Sequence, residues 1–290
     1  MVRATQIILS LVLLFPLCSQ AEILFEGYAK ILSGEEAIGY VINRYEFDEK
    51  KKEFVSVYFV KTGKGPSEVT ESLRARANAD LAPISYEYTS LAGKETKTID
   101  AKFKAGNMSA VVREGGKTQR VERKVPKGTF LSTFLVYLML KSNEGLKAET
   151  NYEYQAIAEE DAAIYKGQAL TGKEELYKGF KVYKILNTYK DSKFLSYVNA
   201  RGEVLGTHSL GQGITTELVA RPSDATTGQS YSAALLKTLF GNIPEGQKNV
   251  VAQSAKTAAP TPLPKQYMVP PGQGIIIKAQ PQPTPAKQGQ

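Results

Sequence analysis

From Glu22 onward, apolar and polar positions alternate with a period of two, in short runs broken by Gly, Asp, Asn and Lys. That pattern predicts β-strands rather than helices. Ile23 to Leu32, Ala37 to Phe47 and Phe54 to Val60 are the first runs. Ser33-Gly34-Glu35-Glu36 and Asp48-Glu49-Lys50-Lys51-Lys52 are the turns between them. Glu71 to Asn78, Ile84 to Thr89, Thr96 to Phe103, Met108 to Arg113 and Thr118 to Lys124 continue the series. A second block reads the same way: Asn151 to Glu159, Ala163 to Leu170, Phe180 to Tyr189, Phe194 to Ala200, Glu203 to Ser209 and Ile214 to Ala220. The spacing is that of antiparallel meanders. The two blocks share a layout, but at too low an identity to establish a duplication.

Phe54 to Val60 is apolar on both faces: Phe54, Tyr58 and Val60 on one, Val55, Val57 and Phe59 on the other. Such a strand is covered on both sides. The expectation is a mainly β fold, a curved antiparallel sheet or half-barrel with one buried helix in its mouth. The helix is predicted over Thr129 to Lys141, with Pro126 upstream and Thr129 as its cap. It is apolar almost all round, so it is buried on most of its circumference. At about a dozen apolar residues it falls short of the roughly 20 that span a bilayer. A short C-terminal helix is predicted over Ser232 to Phe240, ahead of Gly241.

The two ends differ from this body. Arg3, the apolar run Ile7 to Phe15, Pro16 and the small residues Ser19 and Ala21 have the layout of an export signal cleaved after Ala21. Leu17 before Cys18 argues against lipidation. Eight of the 14 prolines lie between Pro260 and Pro285, so residues 251–290 are expected to be a disordered Pro-rich tail. Ile275, Ile276 and Ile277 interrupt that tail and are its candidate partner-docking strand. The domain expectation is therefore a signal over 1–21, a β-rich domain over 22–222, a short helix and linker over 223–250, and the tail.

Charge and composition narrow the function. Of 37 Lys and Arg, Arg3 lies in the signal and four lie in the last forty residues, leaving 32 against 29 acidic residues in the body. A near-neutral body argues against a nucleic-acid partner. One Cys and one His exclude a disulfide framework, a Cys-based zinc site and a multi-His metal centre. No phosphate loop, dinucleotide fingerprint or nucleophile elbow occurs. His208, without a nearby Asp, reads as structural, and Glu159-Glu160-Asp161 as a solvated turn. No catalytic residue, metal or cofactor is assigned.

The residues also carry a resemblance. Gly27-Tyr28, Ile38-Gly39-Tyr40, Ala79-Asp80-Leu81-Ala82-Pro83-Ile84, Asp100-Ala101-Lys102-Phe103, Val125-Pro126-Lys127-Gly128 and the turn Arg201-Gly202-Glu203 together resemble the exported bacterial family called domain of unknown function 3108. It spans roughly Glu22 to Pro222. The chain departs from the family pattern at Thr129-Phe130, where an acidic residue would precede Leu131-Ser132. The resemblance implies a periplasmic β-rich fold similar to carriers that hold acyl chains in a half-barrel, and it supplies no activity.

The expected function is non-enzymatic: an envelope protein of a Gram-negative periplasm that binds a lipid or cell-wall ligand in a curved sheet. Candidate ligand-binding residues are Phe134, Tyr137, Leu138, Tyr58, Tyr86 and Tyr183. The alternatives are an envelope-complex subunit that reaches a partner protein with its Pro-rich tail, and an Asp/Glu-dependent hydrolase. No transmembrane span is expected after signal cleavage.

Overall fold

The computed structural model describes residues 21–142, 145–230 and 232–258. Residues 1–20 and 259–290, which hold the signal and most of the tail expected from sequence and the segment Ile275 to Ile277, lie outside the described residues.

The first eight strands are one meander: β1 (Glu22–Ser33), β2 (Glu36–Asp48), β3 (Glu53–Thr62), β4 (Val69–Asn78), β5 (Pro83–Ala92), β6 (Glu95–Lys104), β7 (Asn107–Glu114) and β8 (Lys117–Lys124). Each pairs antiparallel with the next. The two-residue turn between Glu114 and Lys117 is made by Gly115 and Gly116, both at positive φ, as a hairpin of this hand requires. A second meander follows: β10 (Asn151–Ala158), β11 (Ala163–Tyr177), β12 (Phe180–Tyr189), β13 (Ser192–Val198), β14 (Val204–Ser209) and β15 (Ile214–Val219). Its last strand returns to pair with β1, through Tyr28–Val219 to Ser33–Ile214. The two meanders thus fuse at β1 and β15 into a single 15-stranded curved sheet. Its free edges are β8 and the two-residue β9 (Phe130–Leu131), which runs parallel to β10 and also lies against β4.

Between the meanders the chain enters the concave side. A 3-10 turn, Ser132–Phe134, leads into helix α1 (Leu135–Lys141). The predicted helix is therefore shorter than the sequence suggests. Phe130 and Leu131 pair with Ala156 and Ile157 of β10, so their backbone is committed to the sheet and the helix starts only at Leu135. Thr129 caps nothing; its hydroxyl is buried without a hydrogen-bond partner.

Strand alternation sorts the core into two sides. Leu73, Ala75, Tyr86, Tyr88, Ile99 and Ala101 face inward from β4–β6, and Tyr152, Tyr154, Ala156 and Ile185 face them from β10 and β12. Phe130, Leu131, Phe134 and Met139 fill the space between them. On the convex side Tyr28, Tyr40, Ile42, Val55, Val57 and Phe59 are covered by Ala225, Leu236 and Phe240. Those three come from helices α2 (Pro222–Thr226) and α3 (Ala233–Phe240). Ser232 caps α3 by accepting from the Leu235 amide, and Gly241 ends it in the left-handed conformation. The two-sided β3 is explained: the plug covers one face and the C-terminal helices the other.

The described residues between Ser223 and Val250 are part of this body, not a linker. Arg44 donates to Glu26 (2.7 Å), to the Phe240 carbonyl (2.8 Å) and to Asn242 Oδ1 (2.7 Å). Glu26 accepts in turn from the amides of Glu245 and Gly246, both at 2.7 Å. The chain then forms helix α4 (Val250–Ala258), started by Asn249, which accepts from the Ala252 amide at 2.9 Å. Val250 and Val251 pack against the cluster Phe25, Val182, Leu205 and Leu218. The order expected to end at Val251 therefore continues to Ala258, because α4 has an apolar face and a place to bury it. No helix among the described residues is long and apolar enough to cross a membrane.

Candidate ligand cavity

The plug does not fill the concave side completely. Where α1 crosses β1, β2, β14 and β15, a cavity of about 280 Å³ remains. Its floor is Gly27 and Ala29 of β1, Val41 and Asn43 of β2, and Thr207, Thr216 and Leu218 of the closing strands; its roof is Val136 and Tyr137. The gap has a simple origin. Gly27 and Ala29 point inward on neighbouring inner-face positions, and neither carries the bulk to reach the helix. A Cβ on Gly27 would meet the ends of two side chains, Leu218 Cδ1 at 2.6 Å and Phe25 Cζ at 2.9 Å, and would displace them.

The wall at one end is the turn Arg201-Gly202-Glu203. Gly202 sits at φ +81°, and an added Cβ would meet Leu140 at 2.6 Å and Val136 at 2.8 Å. Only glycine lets the turn come this close to α1. Beyond the turn lies a second hollow of about 200 Å³, lined by Leu24, Phe25, Tyr137, Arg201, Gly202 and Glu203. The two spaces share Phe25, Tyr137 and Gly202.

The lining is chiefly apolar, with a few polar groups. Thr207 and Thr216 bond each other at 2.7 Å. The Asn43 amide and the Tyr137 hydroxyl have no hydrogen-bond partner among the described residues. Tyr137 packs its ring on Tyr45 (5.1 Å) and Phe54 (5.4 Å). Burial, with Tyr45 and Glu203 nearby, pushes its phenol well above the usual range, so it is a neutral donor. Glu203 is 6% exposed and held by Asn199 (2.7 Å), the Val250 amide (3.1 Å) and Arg201 (2.8 Å).

The tyrosines and plug residues named from sequence divide. Tyr137 lines the cavity. Phe134 is fully buried beside the rings of Tyr45 (6.4 Å) and Phe54 (6.3 Å), as plug core. Leu138, Tyr58 and Tyr183 pack against the inner core away from the cavity. Tyr86 is buried there too, with its hydroxyl unpartnered. Gly27, Ala29, Asn43 and Arg201 were not singled out as site residues. Their signal was present only as the Gly27-Tyr28 and Arg201-Gly202-Glu203 patterns.

Two acidic readings also resolve. Glu160 and Asp161 pair with Lys190 at 2.5 and 2.7 Å in a turn that is half-buried rather than fully solvated. Glu159 does not belong to it: it is buried and accepts from Ser132 Oγ (2.6 Å) and the Thr133 amide (3.2 Å), tying β10 to the start of the plug. Burial outweighs these bonds and lifts its carboxyl to about 7. His208 lies on the convex face, its Nδ1 3.1 Å from Thr215 Oγ1 on the adjacent strand. A larger depression of about 570 Å³ over β10 and β11 is lined by Lys127, Glu153, Gln155, Lys166, Gln168 and Thr188 among others. It is widely open, unlike the cavity under α1, and leaves a small apolar ligand largely in solvent.

No family model matches the chain, and no curated protein matches it. Among solved structures, it is similar to a β-barrel-like protein of domain of unknown function 1849 from Brucella abortus. Identity is 12%, the match covers 69% of this chain and 98% of that one, and the TM-score is 0.47.

Proposed function

We propose that this is an exported, non-enzymatic binding protein of the bacterial envelope that holds an apolar ligand between α1 and the inner face of β1, β2, β14 and β15. The observation that carries the reading is the cavity itself. A 15-stranded sheet with a packed plug has the means to fill its interior, yet about 280 Å³ is left beside two small residues. That volume is close to the lower end of small-molecule sites, about 300 Å³, and the mix of apolar walls and a few polar groups is typical of them. The export signal read in residues 1–21 and the resemblance to the 3108 family support an envelope location.

The test is titration with the neutral fluorescent probe N-phenyl-1-naphthylamine. Ala29→Leu places a larger side chain in the cavity floor and is expected to lower probe affinity at least about tenfold, about 1.4 kcal/mol. Equal binding by the wild-type protein and the variant, or no binding by either, contradicts the proposal.

A further inference from the structure

We infer that the ligand is a single-chain amphiphile with an anionic head, a fatty carboxylate in the simplest case, and that Arg201 receives the head. This rests on the cavity reading above and adds the ligand's chemistry and orientation.

The two hollows share three lining residues and differ in the rest. The inner cavity is closed by sheet and helix and offers chiefly apolar walls. The outer hollow shares Phe25, Tyr137 and Gly202 with it and adds Arg201 and Glu203. The two hollows adjoin at Phe25, Tyr137 and Gly202, so a ligand tail in the first would have Arg201 and Glu203 on the far side of that shared boundary, toward its head.

The rim charge is the second observation. Glu203 is buried and already receives three donors, so it has little capacity left for a ligand. Arg201 is the opposite case. Its side chain is 54% exposed. One terminal nitrogen serves Glu203 and lies 3.5 Å from Gln253 Oε1 on α4, while Nε and the other terminal nitrogen have no partner among the described residues. A guanidinium held through one terminal nitrogen keeps its positive charge and two unpartnered nitrogens, each able to donate a single charge-assisted hydrogen bond to an oxyanion. Tyr137 lines both hollows, and its hydroxyl, without a hydrogen-bond partner among the described residues, is a second donor on the same wall. Both groups donate, so the matching head accepts and is negative.

Size is consistent with a short chain. At about 30 Å³ for each water-sized group, the inner cavity takes on the order of nine such groups, the scale of a ten-carbon tail.

The experiment is displacement of N-phenyl-1-naphthylamine by decanoate and by decanol, which share the tail and differ in head charge. The wild-type protein is expected to bind decanoate about tenfold more tightly than decanol, the scale of one charge-assisted hydrogen bond. That preference should shrink as salt is raised, because the Arg201 head is exposed. Arg201→Gln is expected to abolish the preference, and Arg201→Lys to restore part of it. Equal binding of the two ligands by the wild-type protein, or a preference that survives in Arg201→Gln, overturns the anionic-head inference and leaves the cavity reading standing. Failure of both ligands and of the probe overturns both.

Discussion

Glu159→Gln isolates the one carboxyl on which the plug hangs. Glu159 is 4% exposed, and its two hydrogen bonds both come from the first turn of the plug. Desolvation raises its pKa from the ordinary 4.5 to about 7; the Ser132 and Thr133 bonds lower it and nearby Glu160 raises it slightly. An acid whose pKa is higher in the fold than in the open chain favours folding while protonated. Its contribution is full below pH 4.5 and is lost as pH rises through 7. At about 1.36 kcal/mol per pH unit between those values, the loss is about 3 kcal/mol. Gln is neutral throughout and leaves a constant offset, because its carbonyl satisfies only one of the two donors. The measurement is urea unfolding of both proteins at pH 4.5, 6 and 8, taking the stability difference at each pH so that all other titrating groups cancel. The wild-type protein should lose about 3 kcal/mol relative to Glu159→Gln across that range. A difference that stays constant within about 0.5 kcal/mol, the size of an ordinary surface effect, would refute the burial argument.

Arg44→Met leaves Glu26 buried without its cation and should cost about 3–5 kcal/mol in urea unfolding; adding Glu26→Gln should recover part of that. Gly202→Ala combines a positive φ with contacts under 3 Å on Leu140 and Val136. It should lower stability by about 2 kcal/mol and weaken probe binding, since the turn forms the cavity wall.

The strands were legible because their signal is local. A period of two survives whatever the strand pairs with, and the convex cover was implied once β3 read as apolar on both faces. β11 shows the limit. It was expected to stop at Leu170, but it runs to Tyr177 through a bulge between Thr171 and Glu174. The bulge carries the charged stretch Lys173-Glu174-Glu175 along an exposed face, and locally that looks like a turn. The plug misled for the converse reason. Phe130 and Leu131 fit a helical pattern, yet β10, more than twenty residues later, claims their backbone. Glu159 looked like part of a solvated acidic turn because its partners, Ser132 and Thr133, are equally remote. The cavity was the least legible element. It is made by side chains that are missing, at Gly27 and Ala29, and a small residue on a strand has no sequence signal separating a close contact from a void. Of the tyrosines and plug residues chosen for their bulk, only Tyr137 reached it; the rest became core.

The central claim is that the space under α1 holds a ligand. Native mass spectrometry of the protein, as isolated and after incubation with decanoate, tests it most directly. The account predicts a bound mass that organic extraction removes, or a single decanoate adduct on the extracted protein that is absent from Ala29→Leu. A bare mass before and after incubation, or an adduct that Ala29→Leu retains in full, would contradict it.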